Sequence, residues 1–270
     1  MLYKADLHMH STASDGQYAP SALAGLAKAK GLDVIALTDH DSVDGVEEAK
    51  EAGEAQGLRV IQGVELSADD YLNLHILGYG FSTPALQGWL DSLKGGRDER
   101  KYRIRDFLRA KGLEIPLEEV DREAAGASVG RPHFAKVMLR HGYVVTRKEA
   151  FERYLDTPEF QAIEKGTKPS AQTCVENIKA AGGKVSLAHP YQIVLDGESL
   201  EELVIRLKSY GLDALECYYP QHTPERRREY LALAKKHRLH ISGGSDFHGE
   251  RNKPDNPLTA WALDLEWLFK

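Results

Sequence analysis

Two cysteines in 270 residues, Cys174 and Cys217, are too few for a disulfide framework. Neither sits in a CxxC pair or beside a histidine, so buried free thiols are expected rather than zinc-binding or nucleophilic sulfur. Long apolar runs are missing too. Stretches such as Val34-Ile35-Ala36-Leu37 fall far short of the roughly 20 residues that a membrane helix needs. With no charged-then-apolar leader ahead of Asp6, a cytoplasmic protein that engages no membrane is expected. Positive charge is not in excess: 35 Lys and Arg against 41 Asp and Glu leave a formal charge of -6, which argues against a surface that coats nucleic acid. There is no internal repeat or low-complexity tract, no Gly-rich nucleotide loop and no Ser-His-Asp pattern of a nucleophilic hydrolase.

What the chain does contain is 42% hydrophobic residues, enough for a sizeable core, distributed as short apolar strands alternating with amphipathic helical stretches. Strands are expected at about 3–8, 33–38, 59–66, 72–77, 184–188, 213–218 and 240–243. Helices are expected at about 20–30, 43–56, 200–210 and 224–237, with another ending at Gly182-Gly183. Such alternation reads as a parallel α/β sheet or barrel. Between about 81 and 170 the strand signal fades into charged helical sequence broken at Lys111-Gly112, Gly126 and Gly130-Arg131-Pro132. We read a barrel over 1–80 and 171–270, with 81–170 as an inserted helical subdomain covering the substrate. Arg97, Lys101, Arg105 and Arg109 recur every four residues within it. That spacing reads first as a solvated helix face, with a phosphate-contacting face as the alternative.

Chemistry concentrates at expected strand ends, where α/β barrels carry their sites. Asp6-Leu7-His8-Met9-His10 places two imidazoles two residues apart, on the same side of a strand. Four further segments offer partners: Thr38-Asp39-His40-Asp41, Gly63-Val64-Glu65, Ala188-His189-Pro190 and Ser245-Asp246-Phe247-His248. Imidazoles and carboxylates recurring in this way point to a metal site. Metal ions are also the means by which a chain with net negative charge attracts an anionic substrate.

The motifs DLHMHS, LTDHD, GVE, AHP and GSDFH, in that order, resemble those of the polymerase and histidinol phosphatase (PHP) superfamily of metal-dependent phosphoesterases. The resemblance implies a distorted (β/α)7 barrel of the PHP fold holding two or three divalent ions, manganese first, iron or zinc otherwise. It implies that His8, His10, Glu65 and Asp246 hold one ion, Glu65, His75 and His189 a second, and Asp15, His40 and His248 a third. Glu65 has the two oxygens needed to bridge. His75 sits in Leu72-Asn73-Leu74-His75-Ile76-Leu77, where a core histidine is the alternative. Asp15, in Ser14-Asp15-Gly16, is otherwise a turn residue or cap.

Outside the ligands, Asp39 is expected to orient a ligand or move a proton, or else to cap a strand end. Arg131 and His133, in Gly130-Arg131-Pro132-His133-Phe134, resemble an (R/T)-x-H-F element of PHP nucleotide phosphatases and small exoribonucleases. There they are expected to hold substrate phosphate. His222, in His222-Thr223-Pro224-Glu225, resembles an HSPE element, which implies a phosphate contact or a proton donor; Thr223 is equally a helix N-cap. One departure is that many relatives continue AHP with Gly and a basic residue, where this chain has Tyr191-Gln192.

The expected reaction is hydrolysis of the 3' phosphoester of a 5'-phosphorylated nucleotide by metal-activated hydroxide. The substrate is a 3',5'-bisphosphate, a short RNA cut from its 5' end, or both. No obligate protein partner is implied. A small-molecule phosphomonoesterase such as a histidinol phosphatase and a non-catalytic metal-binding scaffold are the competing readings.

Overall fold

The computed structural model describes residues 1–124 and 129–269, and of 94–98 the backbone alone. Gly126 and the side chain of Arg97 lie outside the described residues. Eight strands are described: β1 (Leu2–Met9), β2 (Val34–Leu37), β3 (Arg59–Ser67), β4 (His75–Tyr79), β5 (Lys184–Leu187), β6 (Ala214–Tyr218), β7 (His240–Gly243) and β8 (Trp261–Asp264). They form one sheet in the order 7-6-5-4-3-2-1-8, rolled into a nearly closed barrel. Helices α1 (Pro20–Ala29) and α2 (Val46–Ala55) follow β1 and β2. After β4 come α3 (Thr83–Ser92), α4 (Lys94–Ala110), α5 (Leu117–Ala124), α6 (Arg131–Arg140), α7 (Arg147–Ala150), α8 (Pro158–Glu164) and α9 (Ala171–Ala180). Helices α10 (Leu200–Tyr210) and α11 (Pro224–Lys236) precede β6 and β7.

Local chemistry sets many of these boundaries. The β2 run Val34-Ile35-Ala36-Leu37 is buried throughout, as befits a parallel strand covered on both faces. Pro20 and Pro224 occupy the first turns of α1 and α11, where a missing N–H is harmless. Ser199 and Glu202 close a capping box on α10.

Two features lie outside the alternating pattern. Strand β4 runs antiparallel to both neighbours, with Ser67 paired to His75 and Glu65 to Leu77. Seven residues, 68–74, separate β3 from β4, too few for the crossover that a parallel pair requires. Strand β8, which the hydrophobic pattern does not reveal, pairs antiparallel with the start of β1.

The barrel closes where the loop after β7 meets the end of β1. The Asp246 N–H donates to the His8 carbonyl at 2.7 Å, and the His10 N–H to the Phe247 carbonyl at 2.9 Å. Side chains from α4, α5, α6 and α8, including Ile104, Val120, Phe134 and Phe160, form a hydrophobic cluster of their own. Leu86 and Leu90 of α3 instead join the barrel cluster around Val64, Leu187 and Ile178.

Candidate metal centre

His8 and His10, at the C-terminal end of β1, both turn to the site and are fully buried. The register of β1 against β2 shifts between Asp6 and Met9, and the buried Asp6 carboxylate instead accepts from the Ser245 N–H at 2.8 Å and the Thr259 N–H at 3.2 Å. Glu65, near the end of β3 and also fully buried, lies at the centre of a ring of imidazoles. Its Oε2 is 3.2 Å from His8 Nε2, 3.1 Å from His10 Nε2 and 3.1 Å from His40 Nδ1. Its Oε1 is 2.8 Å from both His75 Nδ1 and His189 Nε2. The two oxygens therefore face different histidines, the arrangement a bridging carboxylate requires.

Asp246 Oδ1 lies 3.3 Å from His10 Nε2 and 3.7 Å from His8 Nε2, completing the group His8, His10, Glu65 and Asp246. Asp15 Oδ1 lies 3.1 Å from His248 Nε2, and these two gather with His10 and His40. His40 also groups with Glu65 and His75, so it stands between two clusters. Every residue expected as a ligand converges here. His75 arrives by an unexpected route: it opens β4 rather than following a strand, and only the antiparallel direction of β4 brings its N-terminal end to the same rim.

The electrostatics are those of a cation site. Burial opposes charge on Glu65, yet His40, His8 and His75 hold its carboxyl well below the usual range. Burial likewise opposes charge on His10, but Asp246 and Glu65 raise it to about 9. Burial lowers His40 well below an ordinary imidazole. Several buried atoms here lack a hydrogen-bond partner: Nε2 of His8, both ring nitrogens of His10, Nδ1 of His40 and of His189, and Oε2 of Glu65. Unpaired buried polar atoms normally cost about 1–3 kcal/mol each, so a convergent set needs a compensating ligand. Imidazole nitrogens mixed with carboxylate oxygens suit divalent manganese, iron or zinc, and the residues present fit such ions.

Two of the converging side chains stand on backbone that residues other than glycine rarely adopt. His189 has φ 22° and ψ 64°, and Asp246 has φ 53°. Conformations of this kind persist where the surroundings enforce them, commonly at active sites.

Comparison with known proteins agrees with the geometry. The PHP domain family matches residues 6–253. The chain belongs to that family. A 5'-3' exoribonuclease from Haemophilus influenzae is 36% identical over 251 residues, 92% of this chain and 91% of the relative. A 3',5'-nucleoside bisphosphate phosphatase from Chromobacterium violaceum is 31% identical over 247 residues, 90% of this chain and 86% of the relative. A Bifidobacterium adolescentis structure provisionally described as a metal-dependent phosphoesterase superposes with TM-score 0.83 at 29% identity, covering 97% of this chain and 93% of that one. This PHP protein is accordingly a phosphoric ester hydrolase, and none of its described helices is long and apolar enough to cross a membrane.

The residues expected around the PHP centre are placed differently from one another. Asp39 accepts from the Ser11 N–H at 2.7 Å and the Ser11 hydroxyl at 2.6 Å, with Ser14 as a further donor. Its carboxylate thus anchors the loop that carries Asp15. Arg131 and His133 do reach the site, lining a cavity of about 100 Å³ beside Asp15, His40 and His75. The Arg131 guanidinium is already paired with Asp156 and donates to Asn73 Oδ1 at 2.9 Å. His133 Nδ1 accepts from the Gly130 N–H at 3.0 Å, capping its own helix. His222 does not reach the cavity. Its Nδ1 donates to the Cys217 carbonyl at 3.0 Å, and Tyr191, Tyr219 and Tyr230 pack around the ring. Of the helix face in α4, Lys101 pairs with Asp121, while Arg105 and Arg109 pair with Asp106, as on a solvated surface.

Sequence reasoning passed over several groups. Glu216, fully buried in β6, contacts both His8 and His189; a charged residue inside Ala214-Leu215-Glu216-Cys217-Tyr218 was its one visible signal. Lys253 pairs with Asp246, and Tyr219 donates to Asp246 Oδ2 at 2.8 Å. Arg100 and Lys168 pair with Glu164 and share the smaller cavity with Arg131. Arg147 of α7 donates to the Asn252 carbonyl at 3.0 Å, and Asn252 in turn holds the Asp15 carbonyl at 2.9 Å. No local pattern marks these last residues, because their meaning depends on partners far along the chain.

Proposed function

We propose that this protein hydrolyses the 3' phosphoester of a nucleotide that carries a 5' phosphate. Removal of a 3' phosphate from a 3',5'-bisphosphate and release of 5' mononucleotides from short RNA are the same bond cleavage on substrates of different length. The observation that carries the reading is a cationic wall facing the ligand cluster in a chain of net charge -6. Arg131, Arg147 and Lys253 line a cavity of about 270 Å³ whose walls also include His40, Glu65, His75, His189 and Asp246. Arg100 and Lys168 line the adjoining one with Arg131 and His133. The names of the two curated relatives agree with a nucleotide substrate.

In this reading His8, His10, Glu65 and Asp246, then Glu65, His75 and His189, and then Asp15, His40 and His248 hold two or three divalent ions, manganese first. Such ions supply Lewis acidity, neutralise phosphate charge and lower the pKa of water from about 15.7 towards 7. The protein's own residues bind and orient. Burial keeps His133 neutral at ordinary pH; with Nδ1 taken by Gly130, Nε2–H remains as the donor for a phosphate oxygen. Arg131 is held ready by Asp156 and Asn73 with N–H groups to spare, and Lys168 adds a point charge. We assign Asp39 to anchoring the Asp15 loop and His222 to supporting Tyr191 and Tyr219. The helical segment 81–170 covers the substrate, attached to the barrel through α3. A cytoplasmic enzyme fits a nucleotide substrate and two buried free cysteines.

The deciding experiment is product-resolved hydrolysis of adenosine 3',5'-bisphosphate in competition with a short 5'-phosphorylated RNA, with added Mn2+. Inorganic phosphate and AMP from the bisphosphate, or stepwise 5' mononucleotides from RNA, support the reading and identify the preferred length. Cleavage of neither sinks it.

A further inference from the structure

We infer that Glu216 is the positioning residue of the centre: it selects the ring tautomer of His8 and holds His189 in its left-handed conformation. The inference rests on the reading of those two histidines as metal ligands. Glu216 lies in the middle of β6, has no exposed surface and lines neither cavity beside the cluster. It therefore touches no substrate. Its Oε1 is 3.0 Å from His8 Nδ1, and its Oε2 accepts the His189 backbone N–H at 2.6 Å. Burying a carboxylate is unfavourable unless its oxygens are bonded, and both are.

A carboxylate only accepts, so Nδ1 of His8 must carry a proton. The lone pair of the neutral ring then falls on Nε2, the buried nitrogen 3.2 Å from Glu65 Oε2 that lacks a hydrogen-bond partner. The other oxygen acts on the opposite half of the cluster. By bonding the N–H of a residue at φ 22° and ψ 64°, it steadies a backbone that the chain otherwise avoids. That keeps His189 Nε2 2.8 Å from Glu65 Oε1. One buried carboxylate thus braces a histidine on each side of Glu65.

Glu216→Gln separates this role from simple packing, because it preserves shape and replaces two acceptors with one acceptor and one donor. With the amide NH2 facing His8, the ring must accept at Nδ1 and carry its proton on Nε2, which blocks that lone pair. With the NH2 facing His189, two donors meet and the strained backbone loses its partner. Either orientation should weaken Mn2+ binding, measured calorimetrically with purified protein, by about 10- to 100-fold. In zinc-loaded wild-type protein, 15N-resolved imidazole spectra should show His8 protonated at Nδ1, a signature that packing alone would not set. Wild-type affinity in Glu216→Gln overturns the inference, as does an unprotonated Nδ1 in the wild type, which needs no variant to fold. His8→Ala distinguishes the two levels of argument. If it binds Mn2+ undiminished, the ligand reading itself fails; if it loses Mn2+ while Glu216→Gln does not, only the role of Glu216 fails.

Discussion

His189 joins an imidazole at Glu65 to a strained backbone, so removing its ring tests the centre with little else disturbed. His189→Ala should lose bound metal and reduce kcat/KM by more than about 100-fold, beyond the usual effect of losing a supporting partner. Metal analysis alongside kinetics checks this; full activity at unchanged metal content contradicts the assignment. His222 makes the opposite case. Its ring is enclosed by tyrosines and bonded to a main-chain carbonyl, so His222→Phe should lower stability by about 1–3 kcal/mol and leave kcat/KM within a few-fold. Denaturant titration and kinetics together decide, and a large loss of kcat in a stable variant would restore His222 to the chemistry. The contrast shows what a motif conveys. His8 and His10 were readable as partners because a strand repeats every two residues, whereas neither Glu216 against His8 nor the carbonyl facing His222 follows from any local period.

At the scale of elements, close approach of two backbones shapes the centre as much as any side chain. A Cβ on Gly244 would fall 2.2 Å from the His8 Cβ and 2.6 Å from its backbone nitrogen. Gly244→Ala must therefore push the end of β7 away from β1, and with it Asp246 from His8 and His10. The expected result is a loss of about 1–3 kcal/mol together with reduced metal content, read from thermal unfolding and metal analysis. A variant of normal stability and full metal content would show that the closure tolerates more room than the structure leaves. Most elements were legible beforehand, from β2 with its four apolar residues to α10 with its capping box. The direction of β4 was not, because hydrophobic pattern carries no sign. Strand β8 was missed because it is only four residues long, with Leu263 its one buried residue, and its place at the sheet edge depends on antiparallel pairing with the start of β1, more than 250 residues away in sequence.

Across the whole molecule, the helices between β4 and α9 bring cations to a barrel rim made of carboxylates and imidazoles. Lys168 is the clearest test. Burial, with Arg100 nearby, lowers its ammonium to about 8 despite the pull of Glu164. Below that pH it is charged and attracts phosphate; above it the charge is lost. KM should therefore rise as pH passes about 8, and Lys168→Arg, which stays charged, should flatten the rise. Matching profiles in both proteins would remove Lys168 from the substrate site. The Arg147 bonds to Asn252 tie the helices to the loop after β7. Hydrogen bonds from a charged group contribute about 1.5–3 kcal/mol, so Arg147→Ala should raise KM on the order of tenfold while kcat and metal content hold. A fall in kcat alone would place Arg147 elsewhere in the mechanism.

Periodicity and residue type were enough for the α/β alternation and for the strand-end histidines. Family resemblance of the motifs then named Asp15, His75, His248 and the rest of the ring around Glu65. Those features are local, since each depends on a few consecutive residues. How the ring is braced and roofed was left to tertiary structure. Glu216 meets His8 across 208 positions, and Arg147 meets Asn252 across 105. Arg131, legible as a phosphate fork, proved to be held by Asp156 and Asn73. Such pairings arise only when closure of the barrel and docking of the helices place distant groups within bonding distance. A hydrogen bond or ion pair is decided by a few tenths of an ångström, which no spacing along the chain encodes.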